Sequence, residues 1–258
     1  MIIDAHAHIA EMPYISVDKL RKTMTDSNID KTVLFPGGMV DVRKMTNYVI
    51  GKDKPEKPDA NNEYVLSLVK EYPELFYGFC NVNVNNKLEK VLEQLEYYIK
   101  QGLHGLKMAP MVHQFSLLGK TSKALADLSG QLDIPFYTHT IFHASASTAA
   151  VGKLASEFKN TTFIIGHMGF GPLDIEAIEL TSSMDNVYLE TSSANYLAIE
   201  TAVEKCGHEK VIYGSEFPLS DPYVEKVKIE RLPISDDQKD YIFGKNILRL
   251  MKAEVGVG

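Results

Sequence analysis

Short β-branched and aromatic runs alternate with longer amphipathic stretches along the whole chain, and this alternation constrains the fold more than any other feature. Strands are predicted over Ile2–Ile9, Thr32–Pro36, Phe76–Asn83, Leu103–Ala109, Pro135–Thr140, Thr162–Met168, Val187–Ser192 and Val211–Phe217. Helices are predicted over Val17–Ser27, Asn62–Tyr72, Lys87–Gln101, Ser122–Leu132, Ala144–Lys159, Leu173–Thr181 and Ala194–Cys206, with a closing helix over Asp236–Met251. Leu88, Val91, Leu92, Leu95 and Ile99 show the helical logic, falling three and four residues apart with Glu89, Lys90, Glu93 and Glu96 between them. Ser235, Asp236 and Asp237 ahead of Gln238 offer a start signal for the last helix. A strand followed by a helix, repeated to a count of eight, predicts an α/β protein of (β/α)₈ barrel type. The rival is an open doubly wound sheet, but no G-x-G-x-x-G follows the first strand, which argues against a dinucleotide-binding version.

The length of 258 residues fits one such barrel, so residues 1–258 are expected to form a single domain. A net charge of −7 without any basic stripe argues against a nucleic-acid partner. The two cysteines, Cys80 and Cys206, lack metal-type spacing and are expected to be reduced thiols. No basic segment followed by an apolar stretch opens the sequence, and no run of about 18 apolar residues occurs, so a cytoplasmic protein with no membrane partner is expected. Homo-oligomerisation is left open. Between Gly37 and Asn61 the chain makes a long connection containing the polar stretch GKDKPEKPDANN, read equally as a binding loop or as a solvated excursion.

The carboxyl ends of barrel strands carry the chemistry in this architecture, so the position of each histidine is a test. His6 and His8 lie two apart near the end of the first strand and therefore share a face. His139 ends the fifth strand in PFYTHT and His167 ends the sixth in FIIGHMG. His104 and His208 precede strands and belong to the opposite face, whereas His113 and His143 fall in loops on the correct side. Glu216 ends the eighth strand in VIYGSEFP and supplies a carboxylate. Imidazoles with a carboxylate suit zinc, iron, manganese or nickel. An H-x-H alone is weak evidence; four histidines converging on one mouth make a site.

These residues resemble the amidohydrolase superfamily. The resemblance rests on Asp4, His6 and His8 as D-x-H-x-H, on His139, on Gly166 with His167, and on YGSEFP. It extends through NNEYVLSLVKEYPELFYGFCNVN, GLKMAP, NVYLETSS and KNILRLM to cover nearly the whole chain. The closer match is the amidohydrolase-related branch, which also contains non-oxidative decarboxylases similar to aminocarboxymuconate-semialdehyde decarboxylase. The resemblance implies one divalent metal ion, zinc being the first expectation, held by His6, His8, His139 and Glu216. The family usually has Asp at the last of these positions. It also implies a catalytic role near the metal for His167, with Glu216 handling a proton.

The expected activity is hydrolysis of a C–N or C–O bond in a small amide, ester or lactone. The alternatives are decarboxylation of a small carboxylic acid and metal binding without catalysis. A strand-four lysine is carboxylated in some superfamily members, but Lys107 is expected to stay unmodified. It would then bind an anionic group of the substrate or pair with an internal carboxylate such as Asp4. Arg43 and His113 are further substrate-binding candidates. Met108, Met111, Phe115, Phe142, Phe170 and Tyr196 are candidates for an apolar pocket wall, or for packing helices onto the barrel.

Overall fold

The computed structural model describes residues 1–54 and 59–253. Nine parallel strand segments are present among them: β1 (Ile3–Ile9), β2 (Lys31–Pro36), β3 (Phe76–Gly78), β4 (Cys80–Asn81), β5 (Leu106–Met108), β6 (Phe136–Thr138), β7 (Phe163–Ile165), β8 (Val187–Glu190) and β9 (Val211–Ile212). The sheet order is β1-β2-β3 in one part and β4 through β9 in the other. β3 and β4 are one stave interrupted at Phe79. Phe79 N donates to Leu34 O at 3.0 Å on one side and Cys80 N donates to Gly105 O at 2.9 Å on the other, which joins the two parts. The ring closes where β1 meets the chain after β9: Ala5 N to Tyr213 O is 3.0 Å, His8 N to Phe217 O 2.8 Å and Glu216 N to His6 O 2.7 Å. Eight staves in a closed parallel ring make the predicted (β/α)₈ barrel.

Alternation along the staves separates two cores. Val33, Phe35, Tyr77, Phe79, Tyr137, Ile164 and Ile212 fill the interior, and Ile247, Leu248 and Met251 of the last helix close its floor. The intervening residues, among them Leu34, Phe76, Phe136, Phe163, Ile165 and Leu189, face the surrounding helices in the larger cluster. Each such buried side chain contributes roughly 1.5–3 kcal/mol of transfer free energy.

Val17–Ser27 is helical as predicted, with Ser16 accepting from Lys19 N at its start and Asn28 in the left-handed region at its end. Ser235 and Gln238 form the expected capping box. The closing helix is not continuous, since a π-helical segment, Tyr241–Lys245, separates Asp236–Asp240 from Asn246–Met251. A helix over Pro222–Glu230 was not anticipated. Its alternation of charged and apolar residues lacks a clean apolar face, although Asp221 caps it and Pro222 starts it.

The connection after β2 is ordered in its described part, with a short helical turn over Val42–Lys44 and a helix over Met45–Val49. Residues 55–58 of its polar stretch lie outside the described residues, as do 254–258. No helix among the described residues is long and apolar enough to cross a membrane.

Candidate metal centre

β1 delivers His6 and His8 to the same side, as their spacing requires. β6 leads into His139, β7 into His167, and the chain after β9 into Glu216. His167 and Glu216 both have left-handed backbone, φ 58° and φ 59°. Non-glycine residues hold that conformation only when the surroundings enforce it, and such positions concentrate at functional sites. At Glu216 the enforcing contact is the 2.7 Å bond from its N–H to His6 O.

His6, His139, His167 and Glu216 each offer one donor atom, and all these atoms lie within 4.8 Å of one another. Glu216 Oε2 is 2.6 Å from His6 Nε2 and 3.8 Å from His167 Nε2, and Oε1 is 3.6 Å from His8 Nε2. His8 Nε2 lies 3.3 Å from His6 Nε2 but falls outside the four-donor group. The rings of His139 and His167 stack at 4.6 Å between centroids.

A second layer sets the tautomers. His6 Nδ1 faces Glu190 Oε2 at 3.3 Å, Ser192 Oγ at 3.2 Å and Tyr137 Oη at 2.8 Å. Tyr137 Oη–H donates to Glu190 at 2.7 Å, so the proton on His6 belongs on Nδ1, and Nε2 carries its lone pair into the site. His8 Nδ1 faces Pro36 O at 3.4 Å and His167 Nδ1 faces Ser192 O at 3.0 Å, which fixes both rings the same way. Glu190 also accepts from Ser192 N at 2.6 Å and from His167 N at 3.3 Å, so one carboxylate steadies two of the histidines. Two glycines clear its space: a Cβ on Gly214 would stand 2.2 Å from Glu190 Oε1, and one on Gly166 would stand 2.3 Å from Tyr137 Oη.

Burial lowers the pKa of His8 to about 3, against the pull of Glu216, and holds His139 well below its ordinary value. Burial lowers His167 as well. These rings are neutral, as metal ligands must be. Burial presses His6 the same way, but the Glu216 and Glu190 carboxylates outweigh it and its pKa is raised. Burial alone would keep Glu216 protonated; the neighbouring imidazoles, His6 foremost, reverse this and hold its carboxyl well below the usual range.

The donor set fits a cation on its own geometry. Glu216 Oε2 is buried with no hydrogen-bond partner, although His6 Nε2 is only 2.6 Å away. With Nδ1 carrying the His6 proton, both atoms are turned into the site, and imidazole nitrogen with carboxylate oxygen is a donor set for a divalent transition ion.

Lys107, at the centre of β5, does not pair with Asp4. Asp4 is taken by Ser215, whose Oγ and N donate to it at 2.5 and 2.8 Å, and burial raises its pKa to about 7. Lys107 Nζ instead lies 2.8 Å from His139 Nε2 and 3.1 Å from His6 Nε2, over the rings of Tyr137 (3.9 Å) and Phe35 (4.6 Å). Burial lowers its pKa to about 7, the Glu216 and Glu190 carboxylates opposing.

A cavity of about 630 Å³, its open mouth included, adjoins these groups. His8, Asn81, Lys107, His139 and Glu216 form its polar floor, and Tyr14, Met39, Val40, Val42, Met45, Met111 and Val112 its apolar wall. The connection after β2 thus lines the cavity in its described part. Arg43 does not line the cavity: its guanidinium is exposed, bonded twice to Asp41 at 2.8 Å and stacked on Tyr14. His113 is buried at the end of the short helix Pro110–His113, also outside the lining. Of the expected wall residues only Met111 takes part. Met108 faces the helices, Phe115 and Tyr196 pack against the outer core, and Phe142 and Phe170 are exposed. His104 packs on Tyr77 and His208 on Tyr241, away from the donors as their strand-start positions require.

Comparison with known proteins agrees with this architecture. The family model described as Amidohydrolase matches residues 3–252, and the chain belongs to that family. Among solved structures it is similar to 5-carboxyvanillate decarboxylase from Sphingomonas paucimobilis, with a TM-score of 0.74 at 14% identity over 97% of this chain and 98% of that one. It is similar to a dihydroxybenzoic acid decarboxylase from Polaromonas sp. JS666 with bound manganese and the inhibitor 2-nitroresorcinol (TM-score 0.73, 15% identity, 97% and 96% covered). It is also similar to a protein from Acinetobacter baumannii named "probable 2-pyrone-4,6-dicarboxylic acid hydrolase", with citric acid bound (TM-score 0.68, 15% identity, 97% and 99% covered). No curated protein sequence matches it significantly.

Proposed function

We propose that this member of the amidohydrolase family is a metal-dependent hydrolase cleaving a C–N or C–O bond of a small molecule. The observation that carries the reading is Glu216: a buried, ionised carboxylate with one oxygen among the imidazole donors and the other toward His8 and the cavity. His6, His139 and Glu216 would hold a single divalent ion, with zinc the first candidate and His8 completing the set. When bound, the ion supplies Lewis acidity, polarising a carbonyl and making hydroxide accessible at neutral pH. Glu216 accepts the proton of the attacking water and returns it to the leaving nitrogen or oxygen. His167, its Nδ1–H anchored on Ser192 O, presents Nε2 to the site and orients the water. Lys107 meets an anionic group of the substrate, and the methionine- and valine-rich wall encloses the apolar body.

The second reading is non-oxidative decarboxylation of a small aromatic acid. It is favoured by the similar structures named as decarboxylases and by a lysine at the cavity floor that suits a carboxylate. In that reaction the C–C bond breaks, carbon dioxide leaves and the ring carbon takes a proton. A panel of lactones, esters, amides and aromatic acids on metal-replete protein separates the two. Ester, lactone or amide cleavage is expected, and carbon dioxide release without hydrolysis would overturn the hydrolase reading.

A further inference from the structure

The contacts of Lys107 are unusual for a residue expected to bind substrate. Its Nζ is aimed at two imidazole nitrogens, His139 Nε2 at 2.8 Å and His6 Nε2 at 3.1 Å. His6 Nδ1 carries the proton shared with Glu190, so its Nε2 has one lone pair and that lone pair accepts from the ammonium. A nitrogen lone pair cannot accept a hydrogen bond from an ammonium and bond a metal ion at once. His139 Nε2 lies 2.8 Å from the same Nζ, so a metal ion bonding it meets the same competitor.

We propose that Lys107 and the metal ion compete for the same two imidazole nitrogens, and that metal binding releases the ammonium into the cavity as the receptor for a substrate carboxylate. This rests on the metal-dependent reading above and adds to it a coupling between metal and anion. The released ammonium has somewhere to go, because Lys107 already borders the cavity and its stem is flexible. Among the described residues that line the cavity there is no other lysine and no arginine, so an anion entering it has this one positive side chain to meet. Asn81, paired with Lys107 in register across β4 and β5, also lines that floor, its Nδ2 donating to Lys107 O at 2.9 Å.

Two consequences follow from linkage. Removing the ammonium should tighten metal binding, because its competitor is gone. Metal and a carboxylate should each favour the other in the wild type, by the same factor in both directions. The probes are Mn²⁺, titrated in competition with a chromophoric chelator, and benzoate, a monocarboxylate with an apolar body. In the wild type, saturating benzoate should lower the Kd for Mn²⁺ by about 5–150-fold. In Lys107→Met the Kd should fall about tenfold or more without benzoate, since a positive charge some 3 Å from two ligand atoms has been removed, and benzoate should no longer change it. Lys107→Gln repeats the test with a neutral polar head, so that a poorly folded Met variant, detected by circular dichroism, does not decide the matter.

Unchanged or weaker Mn²⁺ binding in folded Lys107→Met and Lys107→Gln would overturn the competition. Equal benzoate coupling in wild type and variants would overturn the receptor role, because the anion would then be meeting the metal alone. A wild-type protein that binds no Mn²⁺ or Zn²⁺ would refute the metal-dependent reading itself and this inference with it, a result distinct from the other two.

Discussion

The two sides of the barrel mouth are built on different principles. The side formed by β1, β6, β8 and the turns after β7 and β9 is polar and largely buried, and its side chains are tied together by hydrogen bonds, with Glu216 Oε2 left without one. Glu190 alone bonds His6, Tyr137, Ser192 and the backbone of His167. The side formed by the connection after β2 and the short helix after β5 presents Met39, Val40, Val42, Met45, Met111 and Val112, with few hydrogen bonds to fix their rotamers. A hydrogen-bonded wall fixes the positions of its side chains. A wall of methionine and valine fills space and tolerates differences in shape. The proposed function accordingly places reaction chemistry on the first side and substrate choice on the second.

Substitutions on the polar side should abolish turnover, and the largest effect is expected at Glu216. Glu216→Gln keeps the size but removes the charge and the proton acceptor. We expect kcat/KM to fall by about 10⁴-fold, the upper end of the range for a lost acid–base group, with the circular dichroism spectrum unchanged. Full turnover in this variant would remove Glu216 from the mechanism.

His167→Asn should lower kcat by about 10²–10³-fold while the protein keeps its metal, and His8→Asn should instead reduce metal content. The comparison is sharp because the four-donor group holds His167 and not His8, so the donor grouping by itself favours the opposite outcome. Metal loss in His167→Asn with retention in His8→Asn would exchange the two roles.

Glu190→Gln tests whether the second layer matters as the geometry implies. It leaves every donor atom in place but weakens the hold on His6, and metal affinity should drop about 10–100-fold in a chelator competition. An unchanged affinity would show that barrel packing alone positions His6.

The apolar side should respond more mildly. Met39→Ala removes substrate contact worth about one buried methylene group, about 0.8 kcal/mol, and should raise KM about fourfold with kcat maintained. A kcat loss comparable to that of His167→Asn would place chemistry on the wrong side of the mouth and break the division.

The same division explains what was legible in the sequence. Strand-end histidines could be placed because period-two alternation and the count of staves assign each to a face, as His6, His8, His139 and His167 show. Glu216 followed from its place at the last stave. Glu190 and Tyr137 were missed, although a signal existed: Tyr137 is two residues before His139, and Glu190 two before Ser192, so each pair shares a face. What the sequence could not supply is that Tyr137, Glu190 and His6 meet, since that depends on closure of the barrel. Arg43 attracted attention as a loop arginine, but its adjacent partner Asp41 neutralises it at the surface. For Met108, Met111, Phe115, Phe142, Phe170 and Tyr196 the sequence left wall and packing open, and only Met111 lines the cavity, while the methionines and valines of 39–45 that do line it carry no motif.

The central claim is that the mouth is a site for one divalent ion. Metal content measured by inductively coupled plasma mass spectrometry after reconstitution and desalting tests it most directly, on wild type and on folded His6→Asn/His139→Asn. One equivalent per chain in the wild type, lost in the double variant, is the expected result. No retained metal in the wild type, or equal metal in both proteins, would contradict it.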